Sequence, residues 1–195
     1  GAYNGWERAK WFAKPGDDTS EDATQTWARS GPWEPRIRAE CEAVRDGVGV
    51  LDLPGFSRFA LGGTGAAEWL RGRIAGPLPK VGRIGLAYFP DERGRILTEM
   101  SILRRGEDEF TLITAAAAQW HDFEVLQRAL VPGLTLSDHT TEVSTLIVTG
   151  PKARDVFASI ASADLTLPWL SLQEAQVARK DVSLARVSFA GELCW

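Results

Sequence analysis

Alternating apolar and polar positions run through the middle of the chain and predict β-strands, because successive side chains of a strand point to opposite faces. The segment 56–61 alternates in this way, and predicted strands at 84–89, 95–104 and 109–114 follow it. The segment 48–53 is apolar almost throughout, which predicts a buried strand. Further strands are predicted at 134–138, 143–149 and 182–189.

Apolar residues spaced three and four positions apart predict helices between these strands. Thr64 is the predicted N-cap of one helix, and Pro151 is expected at the first helical position of another. In the long helix before residue 130, Trp120 and Phe123 are expected on the buried face. The predicted helices are 35–45, 64–71, 115–130 and 150–160, with a short helix or loop over 164–180. The order of elements indicates an α+β fold with mostly antiparallel sheets and packed helices.

The first 34 residues show no clean period and are predicted to form an irregular, Trp-rich arm before a domain at 35–195. The polar segment 17–26 is expected to be an exposed loop. Bulky indoles in such an arm serve as anchors against a core, and the alternative is that one or two of them line a pocket for a flat heterocycle. The four tryptophans concerned are Trp6, Trp11, Trp27 and Trp33.

The composition is that of an ordinary globular protein, with 44% hydrophobic residues, 25% charged residues and a net charge of -4. This charge gives no basic field for nucleic acid. No apolar run is long enough to cross a bilayer, and the first residues lack the pattern of a signal peptide. Cys41 and Cys194 match no metal spacing, so we expect free thiols and no metal site. The expected location is the cytoplasm, or the mitochondrial matrix in a eukaryote.

Two acidic residues are the main candidates for chemistry. Glu99 lies on a predicted strand whose Ile96 and Met100 face the core, so its carboxylate is expected to face solvent or a pocket. Glu192 follows Gly191 at the predicted end of the last strand, where a rigid element meets an open loop. The alternative for Glu99 is a solvated strand carboxylate, and the alternative for Glu192 is a turn carboxylate that follows Gly191.

Two further motifs carry weaker signals. His121 and Asp122 are neighbours in a predicted helix, where adjacent side chains diverge and are not expected to face each other. Asp122 is then a favourable charge in the first helical turn. The run 62–65 (GGTG) is similar to a phosphate loop, but it lacks the following Lys-Ser/Thr of a nucleotide site. Nucleotide binding is therefore not expected.

Short motifs in a fixed order give the chain a family resemblance. The segment 186–195 (RVSFAGELCW) resembles the Arg-x-Ser-(Phe/Tyr)-x-Gly-Glu-Leu-Gly-Trp motif of folate domains like the glycine-cleavage T-protein. It is most similar to those in the C-terminal region of dimethylglycine and sarcosine dehydrogenases, although Cys194 replaces a glycine. The other matching segments are 5–8 with Trp11 and Phe12, 47–53, 94–99, 110–114, 121–122 and 150–154.

The resemblance implies a duplicated ferredoxin-like domain that binds tetrahydrofolate. It implies that Glu99 is the catalytic carboxylate near the reactive folate nitrogens, where the family usually has Asp. It implies that the Glu192 carboxylate binds the N–H groups along one edge of the pterin. Tyr88 is expected to line the folate site, although a gapless alignment places Leu86 in that column. Arg186 is a folate-binding candidate whose alternative role is structural.

The implied function is one-carbon transfer in a dehydrogenase-like oxidoreductase. Tetrahydrofolate would capture the carbon of an N-methyl-derived iminium as 5,10-methylenetetrahydrofolate. The alternative is a non-catalytic binding or assembly domain with a degenerate folate site. A flavin domain before this chain and a barrel after it are expected to be missing, so the domain is expected to be incomplete at its C-terminus. The isolated chain is then expected to bind folate poorly, to be inactive, and to self-associate through an exposed Trp195.

Overall fold

The structure, a computed structural model, describes residues 2–3, 6–7, 9–25, 27–188 and 191–195. The predicted strand end at residue 189 and parts of the 5–8 motif and of the 17–26 loop lie outside the described residues. The helices are α1 (Glu21–Thr24), α2 (Glu34–Asp46), α3 (Ala66–Arg71), α4 (Gln119–Ala129) and α5 (Ala153–Ile160). A short 3-10 turn, Ala116–Ala118, precedes α4.

The strands of the described residues fall into three sheets. Their bounds are β1 (Ala2–Tyr3), β2 (Trp6–Glu7), β3 (Gly49–Asp52), β4 (Phe56–Gly62), β5 (Arg83–Pro90), β6 (Ile96–Arg104), β7 (Glu109–Ala115), β8 (Thr135–Asp138), β9 (Leu146–Thr149), β10 (Ala161–Ser162), β11 (Ser171–Val177) and β12 (Lys180–Arg186). The large sheet has the order β10-β11-β5-β6-β7-β4-β8, and β12 pairs with β11. All its pairs are antiparallel. The predicted α+β class is confirmed.

One face of the large sheet carries the main hydrophobic core. Alternate residues of β4 to β7 point to this face, where α3 and α4 cover them. The most deeply buried members are Phe59, Leu61, Leu70, Met100, Ile102, Leu112 and Leu126. A second, smaller cluster joins Ala153, Phe157, Leu184 and Trp195. The opposite face of β5 and β6 therefore remains open.

Arg58 closes the open face of the sheet on the β4 side. It is only 4% exposed, and its guanidinium donates to the Thr145 hydroxyl and to the backbone carbonyls of Leu53, Phe56 and Thr140. Burial lowers the pKa of Arg58 from its usual value. Arg58 and the loop residues that it contacts thus cover the open face at β4, whereas the same face is exposed at β5 and β6.

The structure corrects three predictions about strands. The segment at β3 is exposed rather than buried, with Val50 68% and Leu51 56% exposed, because β3 and β9 form a separate two-stranded sheet. The segment 164–180 contains the strand β11, which sequence pattern placed in a helix or loop. The last strand ends at Arg186, so Glu192 does not lie at a strand end.

The helices also differ from their predicted starts and faces. Gly65, in a left-handed conformation, occupies the N-cap position of α3 in place of Thr64. Lys152 is the N-cap of α5, so Pro151 precedes the helix. Trp120 is 79% exposed, whereas Phe123 packs against the core as expected. The regions 35–45 and 115–130 do contain the predicted helices.

Among its described residues, the N-terminal segment contains the paired strands β1 and β2 and the short helix α1. Asp17 forms an ion pair with Arg36 at 2.7 Å, which ties this segment to α2 and lowers the pKa of Asp17 to about 2. Trp27 is fully exposed, so the prediction that it anchors the arm is wrong. Trp33 is partly buried. The division of the chain at residue 34 stays a prediction.

Candidate functional site

Tyr88 and Glu99 are direct partners in the pairing of β5 with β6. Both side chains are exposed, whereas their strand neighbours Ala87, Phe89 and Met100 are buried in the core. The outward direction predicted for Glu99 is therefore confirmed, although Ile96, which was expected in the core, is 63% exposed. The two polar side chains share the open face of the sheet.

The backbone geometry brings these two side chains close. The Tyr88 carbonyl accepts a hydrogen bond from the Ala75 amide at 2.8 Å, on the side away from β6. The Glu99 carbonyl lies 3.5 Å from the Thr114 hydroxyl, on the side of β7. Tyr88 and Glu99 thus form a non-hydrogen-bonded pair, in which Cα atoms lie about 4.5 Å apart and side chains are closest.

Apolar side chains surround this pair on the same face. Leu86 lies two residues before Tyr88, and Leu97 two residues before Glu99. Both are exposed, as is Phe56 on β4, whose register places it on the same face. The open face therefore offers a carboxylate and a phenol within an apolar surround. Leu86 and Tyr88 share this face, so the side chain of either residue can line a ligand bound there.

Arg186 and Glu192 belong to a second group at the end of the described chain. Arg186 Nη1 donates to the carbonyls of Val187 and Cys194 at 2.7 and 2.9 Å, and its guanidinium lies over the Trp195 ring. The Ser188 hydroxyl contacts Glu192 Oε2 at 3.3 Å. The contacts of Arg186 are those of its structural alternative, and a role in folate binding stays a prediction.

The terminal segment is packed against the domain. Trp195 is 4% exposed and exchanges two backbone hydrogen bonds with Val148 of β9. The prediction that Trp195 is exposed is therefore wrong. Cys194 is buried, and this burial raises the pKa of its thiol, as does the charge of Glu192. Both cysteines are free thiols, as predicted.

The distance between the Tyr88–Glu99 pair and Arg186 follows from the pairing of β5, β11 and β12. Arg83 of β5 pairs with Ser171 of β11, which pairs with Arg186 of β12. Tyr88 lies five residues along β5 from Arg83, about 16 Å at the usual rise of a strand. Arg186 is therefore not beside Tyr88 and Glu99. Because β12 runs in the same direction as β5, the chain that follows Arg186 heads toward the Tyr88 end.

The whole chain, residues 1–195, matches the family model of the GCVT N-terminal domain. The chain belongs to this family. Sequence comparison gives 31% identity over 201 residues with the mitochondrial dimethylglycine dehydrogenases of Rattus norvegicus and Homo sapiens. All of this chain is covered, but it spans only 23% of the length of those relatives.

Two other similarities help to place the chain within the GCVT family. The 4-methylaminobutanoate oxidase (formaldehyde-forming) of Paenarthrobacter nicotinovorans is 29% identical, with 99% of this chain and 24% of the relative covered. An aminomethyltransferase of Thermus thermophilus is 33% identical over 77% of this chain and 44% of its own length. The resemblance drawn from the motifs is therefore confirmed for the family.

Solved structures confirm the fold. The glycine cleavage system aminomethyltransferase T from Bartonella henselae has a TM-score of 0.64 at 23% identity, covering 83% of this chain and 44% of its own. The heterotetrameric sarcosine oxidase from Corynebacterium sp. U-96 has a TM-score of 0.59 at 23% identity, covering 81% of this chain and 80% of the matched chain. The chain has the aminomethyltransferase fold.

His121 and Asp122 of this GCVT domain do meet, contrary to the expectation for helix neighbours. His121 Nδ1 lies 2.9 Å from Asp122 Oδ1. Asp122 is 1% exposed, and its other oxygen accepts from the Thr114 hydroxyl. Asp122 does lie in the first turn of α4, as predicted, but its carboxylate is buried in the core. Sequence pattern gave no signal for this contact with Thr114.

Asp108 fills the anion site of the glycine-rich run, and sequence reasoning missed it. Its carboxylate accepts from the amides of Ala67 and Gly65 at 2.8 and 3.0 Å, and these bonds lower the pKa of Asp108. The amides that a phosphate would need are therefore occupied from within the chain. This geometry agrees with the expectation that 62–65 is not a nucleotide loop.

Few other features of the described residues could form a site. Within the described ranges, no cluster of three or more His, Cys, Asp or Glu residues has the geometry to hold a metal ion. Among those same residues, no helix is both long and apolar enough to span a membrane. A surface groove lies at the start of α2, lined by Trp33, Glu34, Ile37 and Arg38. The open face around Glu99 is therefore the candidate site.

Proposed function

We propose that this GCVT domain binds tetrahydrofolate and transfers a one-carbon unit within a dimethylglycine or sarcosine dehydrogenase-like oxidoreductase. The observation that carries the proposal is the Tyr88–Glu99 pair on the open face of the sheet. Family membership supports the same reaction class, because relatives include aminomethyltransferases and dimethylglycine dehydrogenases by name.

The residues present fit a reduced folate. A pterin is a flat heterocycle with N–H donors along one edge, which a carboxylate accepts as charge-assisted hydrogen bonds. The open face supplies the Glu99 carboxylate within an apolar surround that includes Leu86 and Leu97. Glu192 supplies a second carboxylate from the terminal segment. Bound tetrahydrofolate would supply the nucleophilic nitrogens that accept the one-carbon unit.

Each residue has a distinct task in this mechanism. Glu99 would accept a proton from, or orient, an attacking N–H, which is general-base chemistry at a positioned carboxylate. Tyr88, directly opposite Glu99, would fix the direction of that carboxylate and contact the ring. Glu192 would accept hydrogen bonds from the pterin edge. Arg186 would act in folate binding through the terminal segment that it holds.

Positioning contributes most of the rate in such a transfer. Two reactants held at attacking distance gain about 7–11 kcal/mol relative to free encounter. An open face that is exposed at β5 and β6 would need cover to exclude water, because hydrogen bonds strengthen when water is excluded. The domain therefore requires a bound ligand or further protein over this face during transfer.

We place the oxidation of the amine outside these 195 residues. The chain spans about a quarter of the dimethylglycine dehydrogenases that it resembles. Flavin chemistry that converts an N-methyl amine to an iminium would lie in other parts of such a protein, and the carbon would be delivered to this domain. The mammalian relatives are mitochondrial by name, which favours the matrix for a eukaryotic source.

The second candidate is a non-catalytic binding or assembly domain with a degenerate folate site. The 4-methylaminobutanoate oxidase relative, which is formaldehyde-forming by name, favours it, since free formaldehyde means that the carbon is released. Cys194 in place of the family's glycine supports the same alternative. In this case the fold would persist and folate affinity would be lost.

Calorimetric titration with tetrahydrofolate separates the two functions. The complete gene product and the 195-residue chain are each titrated, together with Glu99→Gln and the matched control Glu109→Gln. Glu109 is an exposed carboxylate at the opposite end of the same sheet. Transfer predicts saturable binding by the complete product that Glu99→Gln weakens and Glu109→Gln leaves unchanged. Lack of binding by the complete product would establish the non-catalytic alternative.

A further inference from the structure

We infer that Thr114 and Asp122 are positioning residues for Glu99, holding its backbone from the buried side of the sheet. The inference rests on the proposed function, because it concerns the carboxylate assigned to the transfer. It extends that function to residues that cannot touch folate themselves, since Thr114 is 4% exposed and Asp122 is 1% exposed.

The backbone of Glu99 is held unevenly by its two neighbouring strands. On the β5 side, pairing continues past Glu99 to Thr98 opposite Phe89. On the β7 side, the last paired residue is Ser101, opposite Ile113, which lies two residues after Glu99 in the chain. The Glu99 carbonyl points to this opened side, as the contact with Thr114 shows. On this side the Glu99 carbonyl contacts the Thr114 side chain instead of a paired residue of β7.

The Thr114 side chain lies against this opened side by contact, and its hydroxyl proton goes to Asp122 rather than to the Glu99 carbonyl. Its Oγ1 lies 3.5 Å from the Glu99 carbonyl and donates to Asp122 Oδ2. A hydroxyl has one proton, and a carboxylate attracts it more strongly than a carbonyl does. Asp122 therefore fixes the Thr114 rotamer, and that rotamer sets how closely β7 approaches Glu99.

The cluster is more polar than packing alone requires. Ser57 of β4 is the cross-strand partner of Thr114 and is fully buried. Its hydroxyl has no hydrogen-bond partner among the described residues. Burial of a carboxylate with hydroxyls is costly unless their hydrogen bonds are made. This polar cluster lies directly beneath the point where the pairing of β6 with β7 ends. Its position indicates that β6 must be held in place at Glu99.

His121 completes the cluster at the surface. Its ring contacts Asp122 Oδ1 at 2.9 Å, and its side chain is 56% exposed. The chain of contacts therefore runs from solvent through Asp122 and Thr114 to the Glu99 backbone. The Glu99 side chain points to the opposite face, so this chain acts on its position and not on its proton.

A double-mutant cycle distinguishes positioning from general stability. Tetrahydrofolate affinity of the complete gene product is measured for wild type, Thr114→Val, Glu99→Gln and the double variant. Each single variant is expected to weaken binding about tenfold, and the double variant also about tenfold rather than about a hundredfold, because Thr114 acts through Glu99. A double variant that binds about a hundredfold more weakly than wild type would overturn the inference.

Two further variants serve as controls. Thr114→Ser keeps the hydroxyl and is expected to restore most of the affinity. Thr98→Val removes a hydroxyl from another buried threonine on the core face of β6, and it is expected to leave affinity unchanged. Equal losses for Thr98→Val and Thr114→Val would show that any buried threonine has this effect, which contradicts a specific link to Glu99.

An NMR measurement tests the inference even if folate does not bind. The 13C carboxyl resonance of Glu99 is recorded in wild type, Thr114→Val and Thr98→Val, with thermal unfolding as the check of folding. A shifted or broadened Glu99 signal in Thr114→Val alone supports positioning. An unchanged signal in a folded Thr114→Val protein overturns it. Failure of folate binding with a shifted signal would reject the proposed function and keep the positioning role.

Discussion

Tyr88 and Glu99 face each other across β5 and β6, with the backbone carbonyl of each directed away from the other. This arrangement places the phenol and the carboxylate at the closest separation that an antiparallel sheet allows. A ligand that reaches Glu99 must therefore also meet Tyr88.

Replacement of Tyr88 by Phe is expected to weaken tetrahydrofolate binding about 2- to 12-fold. The change keeps the ring and removes one hydroxyl, and a single hydrogen bond contributes about 0.5–1.5 kcal/mol. Tyr88→Ala, which also removes the ring, should cost more. Titration of both variants in the complete gene product is the measurement. Wild-type affinity in Tyr88→Ala would exclude Tyr88 from the site.

Replacement of Glu99 by Ala is expected to separate two reactions in the complete gene product. Amine oxidation should stay intact, while the one-carbon unit should appear as free formaldehyde instead of methylenetetrahydrofolate. The physical reason is that the proposed oxidation lies outside this domain. Dye reduction measures the first reaction, and formaldehyde release measures the second. Parallel loss of both would indicate that Glu99 has a structural role.

Replacement of Glu192 by Gln should reduce folate affinity without unfolding the domain. A hydrogen bond to a charged group contributes about 1.5–3 kcal/mol, and the amide keeps the size of the side chain. Glu192 is near the Ser188 hydroxyl, so thermal unfolding is measured beside the titration. Unchanged affinity with unchanged melting would remove Glu192 from the pterin site.

Replacement of Arg58 by Lys is expected to destabilise the domain by about 2–4 kcal/mol, since an unmade buried hydrogen bond costs about 1–3 kcal/mol and Lys satisfies fewer acceptors. Arg58 donates to the Thr145 hydroxyl and to three backbone carbonyls. Urea unfolding gives the free energy, with the exposed Arg93→Lys as a control. Equal stability of the two variants would contradict the assigned role.

Replacement of Asp108 by Asn should lower the melting temperature in a pH-dependent way. The Ala67 and Gly65 amides hold the pKa of Asp108 below its usual range. A lowered folded-state pKa gives stability that is fully present above the unfolded value, about 3.9, and is lost as pH falls through the folded pKa. Wild type and variant should therefore differ at pH 7 and converge at low pH. A constant difference would show that the charge is not responsible.

Local pattern was sufficient for the strands that form the site. The alternation in β4 to β7 predicted both the strands and the outward direction of Glu99, because the period of two belongs to the backbone itself. Motif order likewise predicted the family, which the match over residues 1–195 confirmed. The folate roles of Glu99, Tyr88, Arg186 and Glu192 stay predictions.

Contacts between distant residues depended on the tertiary structure. The carboxylate that caps α3 comes from Asp108, far along the chain from Gly65, so no local cap motif predicts it. The apolar run at β3 predicted burial, but it pairs with β9 in a separate sheet and is exposed. Composition describes what a segment can bury, whereas the fold decides what is available to cover it.

The sequence by itself determined the class of fold, the family and the side of the strand on which Glu99 lies. Only the tertiary structure decided that Tyr88 is its direct partner and that Asp122 is buried against Thr114. The reason is register. A side chain's face repeats every two residues along one strand, but its neighbour is set by how separate strands and helices align, and that alignment is fixed by packing across the whole domain.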